Sequence, residues 1–354
     1  GVTDPAALAR IGERVVQALD RPFAIKGSEV RIGASIGIAT LHRHSSCPQE
    51  VMSCADLAMY AAKKAGRGRI AFYDARMGEM AAERTRLEVE LRHAIGAGQL
   101  RIVYQPKIDV DTLSVISVEA LVRWQHPERG WLDPGAFIGI AEQTGLIDQL
   151  GEEVLRLVAR QCREWLAAGI RHRISVNVSH TQFLRADFAE RTLASIAEEG
   201  MPTDLLEIEV TEAIAMVNPE LALRHLQVLR AVGVSIAIDD FGVGYSNLSQ
   251  LAALPFDALK IDRSLVAGIG EDPKREQIIV AILGMAAAMR HEVVAEGVET
   301  LAQFEFLAEH RCTHIQGFLL ARPMSAETIP HWRREALPRR AGTAPIPAND
   351  RKVA

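Results

Sequence analysis

Asp239 and Asp240 follow an unbroken apolar run, Val234-Ser235-Ile236-Ala237-Ile238, and lead directly into Phe241-Gly242. A short apolar run closed by a turn signal reads as a buried strand, which places two carboxylates at its C-terminal end. The same arrangement recurs along the chain. Glu119 ends Val115-Ile116-Ser117-Val118, Asn177 follows Ile174-Ser175-Val176, and Glu209 follows Leu205-Leu206-Glu207-Ile208. Lys260 follows Asp257-Ala258-Leu259, Glu296 follows Glu292-Val293-Val294-Ala295, and Gln316 follows Thr313-His314-Ile315. Apolar strands that each deliver an acid, an amide or a lysine near the C-terminal end are how parallel α/β barrels assemble active sites. A single strand-end acid is usually a solvated surface group, and Asp-Asp before Phe-Gly is commonly a turn. The series together points to a metal site.

The elements that must position these residues follow from periodicity. Helical patterns are expected over residues 134–141, 151–168, 181–199, 219–232, 246–254, 274–290 and 301–310, alternating with the strands. Strands over 99–107 and 114–122 are separated by residues 108–113 alone, too short for a parallel crossover, so these two pair antiparallel. With that reversed strand the count is about eight, which closes a barrel. The fold class is therefore α/β, a TIM-like (β/α)8 barrel with an antiparallel first strand over residues 99–335. A charged helix over 77–95 lies within a linker, 75–98, and an Arg- and Pro-containing tail follows from 336 to 354. Residues 1–74 read as a small, truncated α+β segment: a helix over 8–19, a strand pair around Lys26-Gly27-Ser28 whose second member spans 30–39, a helix over 55–64 and a strand over 69–73. Its incomplete sheet has an open edge.

With 48% hydrophobic residues in 354 and a net charge of −5, the chain can bury one large core plus a smaller unit, and it carries no basic stripe for a DNA or RNA polymer. Cys47, Cys54, Cys162 and Cys312 form neither a disulfide framework nor a zinc pattern, a usage that fits a reducing compartment. His42, His44 and Cys47 read as solvated loop residues. The apolar stretch over 278–289 is too short to span a bilayer, and no signal peptide is legible. The expected location is cytoplasmic, with membrane tethering left to a region outside this chain.

Residues from about 87 to 335 resemble the EAL domain of cyclic-di-GMP phosphodiesterases. The resemblance runs through Tyr104-Gln105-Pro106, Glu119-Ala120-Leu121-Val122-Arg123-Trp124, Val176-Asn177-Val178-Ser179, and Glu209-Val210-Thr211-Glu212. It continues through Asp239-Asp240-Phe241-Gly242-Val243-Gly244-Tyr245-Ser246, Lys260-Ile261-Asp262, Ala295-Glu296-Gly297-Val298-Glu299-Thr300 and Gln316-Gly317-Phe318. The front segment resembles the C-terminal part of a GGDEF domain through Ala34-Ser35-Ile36-Gly37-Ile38-Ala39, Ala55-Asp56-Leu57-Ala58-Met59-Tyr60 and Gly66-Arg67-Gly68-Arg69. No Gly-Gly pair occurs in the chain, so the signature that would cradle GTP phosphates is missing and cyclase activity is not expected.

Phosphodiester hydrolysis needs a nucleophilic hydroxide, neutralised phosphate oxygens and a stabilised leaving group, which two hard cations can supply. The all-oxygen set Glu119, Asn177, Glu209, Asp239, Asp240 and Glu296 suits Mg²⁺ or Mn²⁺ better than zinc. The resemblance implies that Glu119, Asn177, Glu209 and Asp239 hold one cation and that Asp239 bridges to a second held with Asp240 and Glu296. It implies that Lys260 and Gln316 orient the attacking water, and that Gln105, Leu121, Arg123 and Asp262 hold the dinucleotide. Glu212, Gly242 and Gly244 would support the loop behind the acidic pair, and Glu299 the site itself. Cyclic-di-GMP hydrolysis to linear pGpG is the expected activity, in a homodimer formed through the barrel, with any upstream sensory domain lying outside this chain. Trp124 and Phe318 are expected to pack in the core or rim. Three alternatives stand beside this reading: a catalytically silent cyclic-di-GMP receptor, a scaffold using the front unit, and a Schiff-base enzyme built on Lys260. Against the last, a lysine crowded by acids stays protonated.

Overall fold

The structure is a computed structural model that describes residues 4–25, 28–41, 43–243, 248–251 and 253–332. Lys26, Gly27, His42, Gly244, Tyr245, Ser246 and the tail over 336–354 lie outside the described residues. The chain divides into two compact units, Gly1–Leu91 and Arg92–Ala354.

In the first unit, helix Pro5–Leu19 starts at Asp4, whose carboxylate accepts from the N–H groups of Ala6 and Ala7. Strands β1 (Phe23–Ile25) and β2 (Ser28–Val30) form an antiparallel hairpin. The single strand expected over 30–39 is not formed. The hairpin arm ends at Val30, and β3 (Ile36–Ile38) pairs instead in parallel with β4 (Ile70–Phe72) across helix Pro48–Lys64. Gly37 makes that arrangement possible, because a Cβ there would stand 1.9 Å from the carbonyl oxygen of Ala55 in the helix. His44 is a turn residue rather than a solvated one, with its Nδ1 accepting from the N–H of Thr40 at 2.9 Å.

The second unit is built on β5 (Leu100–Asp109), β6 (Val115–His126), β7 (Gly130–Leu132), β8 (Arg173–Asn177), β9 (Leu206–Thr211), β10 (Ser235–Phe241), β11 (Ala258–Ile261), β12 (Glu292–Ala295) and β13 (His314–Ile315). Eight of these close a barrel in the order β5-β13-β12-β11-β10-β9-β8-β6 and back to β5, while β7 extends β6 as a hairpin arm. β5 runs antiparallel to both of its neighbours and the other barrel pairings are parallel. The reversal follows from the tight β5–β6 turn. There the Asp109 carboxylate accepts from the N–H groups of Asp111 and Thr112, and Leu113 takes a positive φ of 56°.

The helical pattern expected over 181–199 is split into His180–Phe183 and Phe188–Glu198, and Arg185 in the break pairs with Asp148 and Asp187. Helix Ile147–Ala167 begins four residues before the expected 151, directly after Gly145 and Leu146. The short helices Glu212–Val217 and Arg263–Val266 were not expected; the first occupies the turn after β9. Among the described residues no helix is long and apolar enough to cross a membrane.

Register places the chemistry. Gln105 pairs with Glu119, Glu119 with Ser175, Ser175 with Glu207, Asn177 with Glu209, and Ala237 with Glu209. Because side chains alternate faces along a strand, positions 105 and 107, 117 and 119, 175 and 177, 207 and 209, and 237 and 239 all face the barrel interior. The intervening Val118, Ile174, Ile208, Ile236 and Ile238 are 0% exposed, forming the apolar layer between sheet and helices. Full burial of such side chains contributes roughly 1.5–3 kcal/mol each, so a register slip that exchanged the faces is excluded.

After β13 the backbone is pinned at Gly317. A Cβ there would stand 2.1 Å from the carbonyl oxygen of Val298, whose N–H in turn donates to the Gln316 carbonyl at 3.1 Å. Gly317→Ala should destabilise the barrel by about 1–3 kcal/mol, the usual scale of overpacking, in urea denaturation; an unchanged midpoint would mean this approach is not tight. The cysteines give a second expectation. Cys162 and Cys312 are 2% and 3% exposed and burial pushes their thiols up to about 11 and about 12, whereas Cys47 and Cys54 are half-buried. A thiol reagent at neutral pH should therefore titrate Cys47 and Cys54 in the native protein and the other pair only after denaturation, and rapid native labelling of Cys312 would contradict the packing.

Candidate active site

At the C-terminal mouth of the barrel the ammonium of Lys260 sits among three carboxylates. Its Nζ lies 2.6 Å from Glu209 Oε2, 3.1 Å from Asp239 Oδ2 and 2.5 Å from Glu296 Oε1. Glu119 joins the same layer: Asn177 Nδ2 donates to one of its oxygens and Gln316 Nε2 to the other, each at 2.6 Å. Gln316 also donates to Gln105 Oε1 at 3.1 Å, and Gln105 donates to the Ala321 carbonyl at 3.0 Å. The structure thus brings together Glu119, Asn177, Glu209, Asp239, Lys260, Glu296, Gln316 and Gln105.

Asp240 stands at the edge of this layer with a positive φ of 54°, and the β10–β11 register shifts between Ile238 and Phe241. A bulge of this kind re-aims side chains. It lets consecutive carboxylates leave the strand in different directions, with the Asp240 N–H donating to Asp239 Oδ1 at 2.9 Å. Gly242 follows with φ of 95°, and a Cβ on it would meet Leu265 Cδ1 at 2.7 Å.

Other expected site residues lie farther out. Arg123 pairs with Asp133 at 3.0 Å, Leu121 is half-buried, and Asp262 caps helix Arg263–Val266 by accepting from the Ser264 N–H. Glu212 is buried, and among the described residues its Oε2 has no hydrogen-bond partner. Glu299 is exposed; its N–H donates to Gln303 Oε1 at 2.8 Å, while its carboxylate makes no contact among the described hydrogen bonds and ion pairs. Trp124 is fully buried and donates to Gln99, whereas Phe318 is exposed, with the Arg322 guanidinium 4.4 Å from its ring centroid.

Sequence reasoning missed a second buried tier. Lys107 Nζ donates to Ser175 Oγ, Glu207 Oε1 and Glu209 Oε1, each at 2.6 Å. The available signal was strand parity, since Lys107 shares a face with Gln105, and Glu207 shares one with Glu209.

Electrostatics distinguish the carboxylates. Burial works against charge on Glu209, but the two lysines outweigh it and hold the pKa down to about 2. Burial raises Glu119 and Asp239, opposed by Lys260 and reinforced by Glu209, and it pushes Glu296 up to about 8. Asp240 is raised by burial and then by Asp262. Burial also disfavours charge on Lys260, yet the surrounding carboxylates raise its pKa well above the ordinary lysine value. An amine held protonated in this way is no Schiff-base nucleophile.

Among the described residues no three His, Cys, Asp or Glu side chains stand as a preformed cation cage, because Lys260 occupies the centre of the layer. The donor chemistry nevertheless fits hard divalent cations. All the donors are oxygens, five of the six side chains are carboxylates, and burial raises Glu119, Asp239 and Glu296 above their ordinary pKa values. The side chains that could hold such ions are Glu119, Asn177, Glu209, Asp239, Asp240 and Glu296. Beside the mouth, a cavity of about 440 Å³ is lined by Leu121, Pro134, Ile138, Asn177 and Arg185 among others.

Comparison with known proteins places this architecture. The EAL domain profile matches residues 88–323, and the profile of the diguanylate cyclase GGDEF domain matches residues 2–69. The bifunctional diguanylate cyclase/cyclic di-GMP phosphodiesterase MucR of Pseudomonas aeruginosa is 42% identical over 92% of this chain and 48% of its own length. The cyclic di-GMP phosphodiesterase PdeR of Escherichia coli is 38% identical over 95% of this chain and 51% of its own. The chain thus spans about half the length of these curated relatives. A solved structure of the PaMucR phosphodiesterase in complex with c-di-GMP is 43% identical, with a TM-score of 0.67 over 69% of this chain and 99% of that one. The profile covers the barrel and its acidic mouth together, and the chain belongs to the EAL domain family, with a partial GGDEF segment N-terminal to it.

Proposed function

We propose that the barrel hydrolyses cyclic-di-GMP to linear pGpG. The observation that carries this reading is the convergence of Glu209, Asp239 and Glu296 on Lys260, with Glu119 tied to Asn177 and Gln316 beside them. Support comes also from the PaMucR structure, whose bound ligand is c-di-GMP. EAL phosphodiesterases are metal-dependent in general. In the finer assignment, Glu119, Asn177, Glu209 and Asp239 would hold one ion, and Asp239, Asp240 and Glu296 a second. Two Mg²⁺ or Mn²⁺ ions, when bound, neutralise phosphate oxygens and make water acidic enough to act as a nucleophile near neutral pH.

The chain's own groups supply position and charge. Gln316, held by Gln105, presents its amide to the water. Lys260 places a fixed positive charge where the phosphate's negative charge grows. Arg123, Leu121 and Asp262 would seat the dinucleotide. Water oxygen adds to phosphorus, the P–O3′ bond breaks, and the departing oxygen takes up a proton, leaving a 5′-phosphate and a free 3′-hydroxyl. Glu212, Gly242, Gly244 and Glu299 would support the surrounding loops.

The accompanying domain assignment is 1–74 as a GGDEF-like segment, 75–98 as linker, 99–335 as phosphodiesterase and 336–354 as tail. A homodimer through the barrel, a cytoplasmic setting and control from a sensory region outside this chain complete the proposal.

Chromatography of products after incubation with cyclic-di-GMP and Mn²⁺ should resolve pGpG, and EDTA should abolish its formation. Glu119→Ala should retain the fold by circular dichroism and lose at least about 10²-fold in turnover, the upper scale for loss of an outer-sphere partner alone. Tight binding of cyclic-di-GMP with no product at any Mg²⁺ or Mn²⁺ concentration would establish the silent-receptor alternative instead. Lys260→Ala should lower kcat by about 10²-fold or more with little change in KM, since its charge addresses the reacting phosphate. A raised KM with unchanged kcat would move Lys260 into substrate binding.

A further inference from the structure

Beneath the acidic mouth, Lys107 is almost wholly removed from solvent at 1% exposure, with Glu207 at 5%, Ser175 at 0% and Glu209 at 1%. An ammonium has three donors, and here all three are used, on Ser175 Oγ, Glu207 Oε1 and Glu209 Oε1 at 2.6 Å. Ser175 in turn donates to Glu207 Oε1 at 2.7 Å, which closes the cluster. The two oxygens of Glu209 are therefore held differently. Oε1 faces inward to Lys107, and Oε2 faces the mouth, 2.6 Å from Lys260.

We propose that Lys107 is a positioning residue for the cation site. Clamped by Glu207 and Ser175, it engages one oxygen of Glu209 so that the carboxylate offers only the other as a donor. The inference rests on the proposed cation-dependent reading of the mouth and deepens it. Three features favour it over a purely structural ion pair. Lys107 comes from β5, the reversed strand, and Glu209 from β9, so the bond crosses the barrel interior rather than joining neighbouring strands. The contact ends on a carboxylate of the cation layer, and every donor of the lysine is already committed. Lys107 and Glu207 also line a polar cavity of about 360 Å³ at the opposite end of the barrel, whose lining does not include Glu209.

The test is Mn²⁺ binding to the full chain, followed by the electron paramagnetic resonance signal of the free ion, for wild type and Lys107→Met/Glu207→Met. Removing both charges together leaves no lone buried ion from that pair, and exchange of a buried ion pair for apolar groups is often neutral in stability. The double variant is expected to unfold near the wild-type temperature and to bind Mn²⁺ about 10–100-fold more weakly, the range for loss of a partner that orients a ligand. Should it fail to fold, Lys107→Gln/Glu207→Gln preserves hydrogen bonding without charge and should show the same weakening. A folded variant of either kind whose Mn²⁺ affinity stays within about twofold of wild type, well below that range, overturns the role of Lys107 alone. A wild-type chain that binds no Mn²⁺ overturns the cation reading and this inference with it.

Discussion

Charge inside the barrel is the constraint on which the rest of the molecule depends. Among the described residues, Glu119, Glu207, Glu209, Asp239 and Glu296 point into an interior whose buried counter-charges are Lys107 and Lys260, with Arg173 3.9 Å from Glu207. Carboxylates taken out of water must be paired or must neutralise themselves by binding protons. Both responses occur here. Glu209, between the two lysines, stays ionised with a pKa held to about 2, while Glu296, with a partial share in one lysine, rises to about 8. A layer left this short of positive charge attracts divalent cations, and its oxygen donors suit hard ones.

Maintaining that imbalance demands a rigid frame. The parallel register of β8, β9 and β10 sets the acids side by side, and apolar burial on the outer faces holds the register. The reversed β5 contributes in its own way. Running against its neighbours, it brings Gln105 to the level of Gln316 and Lys107 to the level of Glu207 and Glu209. The mouth carries its own backbone departures: Asp240 in the left-handed region, the bulge in β10, Gly242 with φ of 95°, and Gly317 where a Cβ would meet the Val298 backbone. Strain of this kind persists where surrounding structure over-determines it.

Much of this is legible in the sequence because barrel strands carry their functional residues at one end. The acids, Asn177, Lys260 and Gln316 are each marked by the apolar run before them, and the reversed strand by the short link over 108–113. The Lys107–Glu207 tier escapes such reading because its partners lie 68, 100 and 102 residues apart and no local pattern announces a buried lysine. Only strand parity hints at it. The break near Arg185 is equally silent, since neither Gly nor Pro marks it and the pairing found there reaches the distant Asp148. In the front unit, Val30, Ile32, Ile36 and Ile38 suggest one strand over 30–39, but Gly33, Ala34 and Ser35 interrupt it and the pairing partners decide where β2 ends and β3 begins.

The most direct measurement is anomalous diffraction at the manganese edge from crystals of the chain grown with Mn²⁺. The account predicts density at the mouth between Glu119, Asn177, Glu209 and Asp239, with a second peak toward Asp240 and Glu296, and Glu209 bound through the oxygen that does not face Lys107. Well-ordered crystals at saturating Mn²⁺ with no anomalous peak in that layer, and Lys260 still bonded to all three carboxylates, would contradict it.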